Sequence, residues 1–320
     1  MRKLFAIGEA LIDFIPQETD CGISEVLSFM PKVGGAPANV CGAFTLLGGE
    51  SAMITQLGQD PFGDKIEKEL RSFGIDTSYV RRTEKANTSL AFVALKADGN
   101  REFSFYRKPG ADMLYEEKDV GEDWFSQAFA LHFCSVSLGA FPMKEAHRKA
   151  VSCARDSGAI ISFDPNLRRN LWDSDEALLS AVREFLPLAD VLKVSDEEIE
   201  FITGKKTIEE ALPELFQGEV KLVVYTEGAK GARAYTQNAS ASAEQKKVKA
   251  VDTTGAGDAF IGAFLYCLAK DEKTPADLPE LTETDMNRML RFSNAYCGKS
   301  VEREGAIASY PTKEEMADFT

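Results

Sequence analysis

Ala130-Leu-His-Phe-Cys134, the helix-patterned run Pro142–Ser157, Gly158 and Ala159-Ile-Ile-Ser-Phe163 follow one another, with only Ser135–Phe141 between the first two. The two outer runs are short and almost wholly apolar, the pattern of strands covered on both faces. The run between them is amphipathic and stops at a glycine, the residue that most readily ends a helix. Strand, helix and strand at this spacing predict a right-handed crossover between parallel strands. The same signals extend outward in both directions. Leu4–Gly8, Ala52–Gln56, Asp190–Val194 and Lys221–Tyr225 are further strand candidates. Pro61–Phe73 opens with Pro and an acidic first turn and stops at Gly74. Ser174–Leu186 has Ser174 as its N-cap and Asp175-Glu176 in its first turn. The expected class is therefore α/β, a mostly parallel central sheet with helices on both faces.

One region breaks the alternation. Thr88–Ala97 and Arg101–Tyr106 have a two-residue period and are joined by Asp98-Gly99-Asn100, a β-hairpin signal. In the second strand Phe103 and Phe105 share one face, and Glu102, Ser104 and Tyr106 the other. Phe14–Lys32 is poor in helix signals and can pair with this hairpin. The two segments, near 14–32 and 88–110, are expected to form a small β-sheet lid over one edge of the active site. No internal repeat and no linker rich in Pro, Gly or Ser interrupts 1–320, so one domain is expected.

The 320 residues carry 37 Lys+Arg against 51 Asp+Glu, a formal net charge of -14. Nucleic acid and anionic membranes repel such a chain at long range, which points away from both as partners. The acidity also argues, at first sight, against a phosphate ligand. No apolar run reaches the ~18–20 residues needed to span a bilayer. Met1-Arg-Lys-Leu-Phe-Ala-Ile-Gly8 lacks a signal-peptide core and cleavage site, and reads as a mature cytoplasmic N-terminus. Cys21, Cys41, Cys134, Cys153, Cys267 and Cys297 are scattered without C-x-x-C spacing and read as free thiols in a reducing compartment. His132 and His147 have no paired spacing, which points away from a His-based zinc site and toward structural or surface roles.

The chemistry concentrates in Val251-Asp-Thr-Thr-Gly-Ala-Gly-Asp-Ala-Phe-Ile-Gly-Ala-Phe-Leu265. Asp252-Thr-Thr254 look like helix caps, Gly255-Ala-Gly257 form a small-residue turn, and a helix apolar on every face follows from Asp258. Such a helix is buried. Its first turn therefore points free N–H groups into the protein, where they favour an anion. Asp258, next to that anion hole, suits a general base taking a proton from an attacking hydroxyl.

Asp252-Thr-Thr-Gly-Ala-Gly-Asp258 resembles the C-terminal signature of the ribokinase-like (PfkB) sugar kinases. Six more segments resemble the family in the same order: Gly8-Glu-Ala-Leu-Ile-Asp13, Gly34-Gly-Ala-Pro-Ala-Asn39, Gly58-Gln-Asp-Pro-Phe-Gly63, Phe105-Tyr-Arg-Lys-Pro-Gly-Ala111, Asp164-Pro-Asn-Leu-Arg168 and Gly305-Ala-Ile-Ala-Ser309. The resemblance implies a three-layer α/β/α sandwich with a small lid, and a phosphotransferase using ATP and Mg²⁺. It implies Asp258 as the base and the Gly255, Ala256 and Gly257 amides as the anion hole. Asp13, Gly34, Gly35 and Asn39 would hold the sugar, and Arg107 and Arg168 would contact sugar or phosphate. Ser195, Thr226, Gly228, Gly231 and Asn294 would line the nucleotide. Asp252, Thr254, Ser300, Arg303, Gly305 and Ser309 match positions whose oxygens, largely backbone, hold a monovalent cation, K⁺. Where the family often has Asn-x-x-Glu near Mg²⁺, this chain has Ser195 and Glu198, with Glu198 reaching the ion through water. A water or Lys193 would make good the reach that Ser195 lacks. By resemblance, a homodimer would form through the lid.

Within the family, fructokinases are the closest resemblance, implying ATP plus D-fructose to ADP and fructose 6-phosphate. The alternative is 2-keto-3-deoxygluconate kinase, whose substrate carboxylate Arg107 could pair with bidentately. A non-catalytic sugar-binding module is the rival from another class, and it would need no base at Asp258. A dinucleotide oxidoreductase lacks support, because no G-x-G-x-x-G follows the first strand.

Overall fold

The computed structural model describes residues 2–18, 20–95 and 101–319. In chain order its strands are β1 (Lys3–Ile7), β2 (Leu11–Pro16), β3 (Phe29–Gly34), β4 (Ser51–Gly58), β5 (Val80–Thr83), β6 (Leu90–Leu95), β7 (Arg101–Tyr106), β8 (Ala128–Cys134), β9 (Ile160–Asp164), β10 (Val191–Ser195), β11 (Leu222–Thr226), β12 (Gly231–Tyr235) and β13 (Ser240–Glu244). The helices are α1 (Ala36–Leu46), α2 (Pro61–Ser72), α3 (Met143–Asp156), α4 (Asp175–Phe185), α5 (Asp196–Thr203), α6 (Ile208–Leu215), α7 (Ala256–Lys270) and α8 (Glu283–Ser300). Every apolar run expected as a strand is one. Asp60 and Ser174 cap α2 and α4, accepting from Gly63 N at 2.8 Å and Ala177 N at 3.2 Å.

The large sheet has nine strands in the order β13-β12-β11-β10-β9-β8-β1-β4-β5. Pairings from β11 through to β5 are parallel, and the β11–β12 and β12–β13 pairings are antiparallel. The two-residue strand period divides the core. Leu4 and Ala6 of β1 enter one cluster with residues of α1, α7 and α8. Phe5 and Ile7 enter the other, with residues of α3 to α6. This is the α/β/α layering expected from the sequence. The chain runs outward from β1 to β4 and β5, then returns to β8 on the other side of β1. Ligand crevices open at the carboxyl ends of strands where the order reverses in this way.

The small sheet has the order β3-β2-β6-β7. β6 and β7 form the expected hairpin, pairing Leu90 with Tyr106 and Leu95 with Arg101. Its connection, Asp98-Gly99-Asn100, lies outside the described residues. β2 and β3 flank it, with β2 parallel to β6. Alternation sorts this sheet too. Phe14 stacks on Phe92 at 4.5 Å and Phe29 meets Phe92 edge-on at 5.3 Å, while Asp13, Ile15, Val93 and Phe105 line a cavity.

α7 is buried on every side from Asp258 to Ala269. It packs against α1 so closely that a Cβ at Gly262 would stand 2.6 Å from Ala43 Cβ. One expectation is corrected here. Asp252-Thr253-Thr254 do not cap α7, which begins at Ala256, two residues before Asp258. Gly255 holds the N-cap position at φ 72°, a conformation that favours glycine. Both histidines belong to the core. His132 bonds Ser162 Oγ at 3.0 Å and His147 bonds Met143 O at 2.7 Å. All six cysteines are free, with Cys21 and Cys297 partly exposed. No described helix is long and apolar enough to cross a membrane.

Candidate active site

A cavity of about 480 Å³ opens at the carboxyl ends of β1 and β9, between the small sheet and the start of α7. That volume accommodates a small metabolite. Asp258 stands at its floor, in the first turn of α7. Its Oδ2 accepts from Asn39 Nδ2 at 2.8 Å, and its Oδ1 accepts from Asn166 Nδ2 at 3.3 Å. Asn39 and Asp258 are 219 residues apart in sequence. They meet because Asn39 sits in the first turn of α1, and α1 and α7 cross at Gly262. Burial pushes the Asp258 carboxyl above the usual aspartate value, opposed by the Asn39 hydrogen bond and by the charges of Arg168 and Lys193. A carboxyl raised by burial and held by two amides is suited to accept a proton.

Gly255 gives the helix start its shape. Tyr310 Oη donates to Gly255 O at 2.8 Å, and a Cβ at Gly255 would stand 2.5 Å from that hydroxyl. The Ala256 N–H is turned to Thr253 O at 3.2 Å. Asp252 joins this turn to the loop after α8. Its Oδ1 accepts from Thr254 N and Oγ1, and its Oδ2 from Gly305 N at 2.9 Å. In that loop Ser300 Oγ donates to Cys297 O, Ser309 Oγ to Ala306 O, and the Arg303 guanidinium pairs with Glu315.

The small sheet supplies Asp13 to the cavity. A Cβ at Gly34 would overlap the Asp13 carboxylate, so glycine there is a packing requirement. At Gly35, φ is 111° and a Cβ would stand 2.5 Å from Glu9 O. Gly35, Asn39, Arg168, Asp252, Thr254, Gly255 and Gly305 line the same cavity.

Arg107 differs from the expectation. It does not line the cavity. Its guanidinium is buried against Asp112, with Nε at 3.0 Å from Oδ2, and lies over the Phe141 ring. Asp112 also accepts from Ser89 Oγ. One buried carboxylate thus holds both feet of the hairpin, Ser89 before β6 and Arg107 after β7. Arg107 lies 3.4 Å from Val136 O and 3.5 Å from Ser137 Oγ, and Ser137 Oγ donates to Glu9 at 3.2 Å. Glu9 in turn accepts from Ala36 N at the start of α1. Burial lifts the Glu9 carboxyl to about 7, against the pull of Arg107.

Ser195 and Thr226 are register neighbours at the carboxyl ends of β10 and β11. Gly228 and Gly231 flank the turn that follows, and Asn294 is buried beneath it with Nδ2 on Ala243 O at 2.9 Å. Glu198 closes a capping box. Its Oε2 accepts from Ser195 N at 2.8 Å and from Ser195 Oγ at 2.9 Å, while Oε1 accepts from Leu167 N at 2.9 Å. Among the described residues no three His, Cys, Asp or Glu side chains converge as a metal site. Sequence reasoning missed Asn166, Glu9, Asp112 and Asp164 as members of the site, while Lys193, expected to compensate for Ser195, pairs with Asp164 at 3.0 Å. Asp164, Asn166 and Glu9 lay inside matched segments, but nothing in their spacing shows which side chains point inward.

Residues 1–313 match the model of the "pfkB family carbohydrate kinase". The chain is 41% identical over 310 residues to probable fructokinase-5 of Arabidopsis thaliana, covering 97% of this chain and 94% of that one. It superposes with a TM-score of 0.92 on fructokinase with bound ATP from Xylella fastidiosa, at 34% identity over 99% of this chain and 97% of that one. With a double mutant of the Vibrio cholerae O395 fructokinase, in fructose, ADP and potassium ion bound form, the TM-score is 0.87 at 32% identity, covering 100% and 98%.

Proposed function

This chain belongs to the pfkB family of carbohydrate kinases, and from that premise we propose that it transfers the γ-phosphoryl group of ATP to the 6-hydroxyl of D-fructose. The observation that carries the chemistry is Asp258, a buried carboxylate held by Asn39 at the start of α7, in a cavity of about 480 Å³. The fructokinase relatives support the sugar.

Asp258 takes the sugar hydroxyl proton as the sugar oxygen bonds to the γ-phosphorus. The bond from that phosphorus to the β–γ bridging oxygen breaks, and its electron pair leaves on ADP. The Gly255 and Gly257 amides at the start of α7 favour the negative charge carried by the transferring group, whereas the Ala256 N–H, expected to join them, is engaged by Thr253 O. Asp13, Gly34, Gly35 and Asn39 hold the sugar. Ser195, Thr226, Gly228, Gly231 and Asn294 border the nucleotide. When bound with the nucleotide, Mg²⁺ would supply charge neutralisation on the phosphates. With both its oxygens accepting hydrogen bonds, Glu198 fits an ion reached through water rather than bound directly. Potassium fits between the Asp252–Thr254 turn and the loop of Ser300, Arg303, Gly305 and Ser309, which Asp252 ties together. The small sheet is the lid over the sugar. A second copy packing on the face away from the cavity, beside Phe92, fits the exposure of Tyr106 there, 65%.

The engagement of Arg107 by Asp112 speaks against a substrate that needs Arg107 for its carboxylate, such as 2-keto-3-deoxygluconate. A coupled ADP-release assay over fructose, ribose, 2-keto-3-deoxygluconate, tagatose and adenosine tests the proposal. Fructose is expected to give the highest kcat/KM, and a higher value for any other substrate overturns the assignment.

A further inference from the structure

Lys193 is only 6% exposed, a rare situation for a lysine. It lies near the carboxyl end of β10, with Nζ 3.0 Å from Asp164 Oδ2. Its other side matters more. A Cβ at Gly257 would stand 3.3 Å from Nζ. The ammonium therefore borders the first turn of α7, where an anion would bind. Burial alone would lower the lysine's pKa, but the charges of Asp164 and Glu198 outweigh it and keep the group protonated. Ser195 cannot serve as the donor in its place, because its hydroxyl proton and its N–H are both turned to Glu198.

We propose that Lys193 is a further catalytic residue, whose ammonium contacts the γ-phosphoryl group during transfer, and that Asp164 is the positioning residue that aims it. The assignment rests on the kinase activity proposed above. In that transfer the sugar oxygen bonds to phosphorus, its proton passes to Asp258, and the bridging oxygen leaves with ADP. The phosphoryl oxygens stay anionic throughout, and a fixed ammonium lowers the energy of that arrangement without having to reorganise. The proximity also gives a reason for glycine at 257, since any side chain there would crowd Nζ.

The test compares Lys193→Met, Lys193→Arg and the double variant Lys193→Met/Asp164→Asn with wild type. Lys193→Met strands a buried carboxylate and is expected to lower Tm. The double variant removes both charges and carries the same readouts on a stable fold. In both, kcat is expected to fall roughly 100-fold. Affinity for ATP, measured by titration calorimetry, is expected to fall about 10-fold while affinity for AMP is unchanged. Lys193→Arg is expected to recover part of the ATP affinity. A double variant with kcat within about 3-fold of wild type and unchanged ATP affinity overturns the proposal. Equal losses for ATP and AMP overturn it as well, since they mean a structural role. If wild type phosphorylates no sugar, the kinase assignment falls, and the comparison of ATP with AMP still decides the place of Lys193.

Discussion

Asp258→Asn separates base chemistry from binding, because the site tolerates the amide. The introduced carbonyl oxygen can still accept from Asn39 Nδ2, which now bonds Asp258 Oδ2 at 2.8 Å. The introduced NH₂ group faces Asn166 Nδ2, now a long 3.3 Å contact, and a flip of the Asn166 amide restores the pairing. Burial already disfavours charge at Asp258, so the neutral amide is expected to leave Tm unchanged or slightly raised. Turnover is the quantity that falls. Loss of a general base costs about 100- to 10,000-fold, or about 2.7–5.4 kcal/mol at 1.36 kcal/mol per decade. The pH profile supplies a second readout. The base works unprotonated, and burial raises its pKa above the ordinary aspartate value of 3.8. Wild-type kcat should therefore fall, as pH is lowered, at a higher pH than for an exposed aspartate. The residual rate of the variant should show no such limb. Stopped coupled assays from pH 5 to 9, with thermal unfolding alongside, measure both. Turnover within about 10-fold of wild type, or an acid limb kept in the variant, refutes Asp258 as the base.

Three further outcomes are expected. Gly255→Ala places a side chain at φ 72° and 2.5 Å from Tyr310 Oη, so both Tm and kcat should drop. Gly204→Ala, at φ 73° with open space around it, should cost only about 1–2 kcal/mol and leave kcat intact, which differential scanning calorimetry and the coupled assay can compare. Asp112→Ala strands the buried Arg107 and frees both feet of the hairpin. Unfolding in urea should show a loss of about 3–5 kcal/mol and a raised KM for sugar, and Arg107→Met/Asp112→Leu should recover much of the stability. Replacing potassium by a bulky organic cation should slow turnover without unfolding the protein, and equal rates would count against a cation at the Asp252 turn.

The acidity of the chain does not prevent this chemistry. Its net charge of -14 is a property of the whole chain, whereas Lys193 acts locally, bordering the first turn of α7. Surface carboxylates more than about 8–10 Å away are screened by salt. What the charge still disfavours is a polyanionic polymer.

Much of the fold was legible because local rules govern it. Apolar runs such as Ile160–Asp164 need cover on both faces, and Gly158 ends α3 where the pattern stops. Elements without such signals were not. Ser240–Glu244 is a strand of small and polar residues whose pairing with β12 makes it one. The cap of α7 was misassigned to Asp252–Thr254 because cap preference is a statistical signal, whereas the left-handed turn at Gly255 is set by Tyr310 and by the loop after α8.

The sequence by itself determined the parallel α/β architecture, the hairpin and the segments from which a site would be built, since periodicity and helix ends are properties of neighbouring residues. Tertiary structure decided which of those side chains face one another. Asn39 reaches Asp258 only because α1 and α7 cross at Gly262, Arg107 is claimed by Asp112, and Lys193 comes to the anion-binding turn from another strand. Contacts of this kind depend on how whole helices and sheets pack, which no local pattern records.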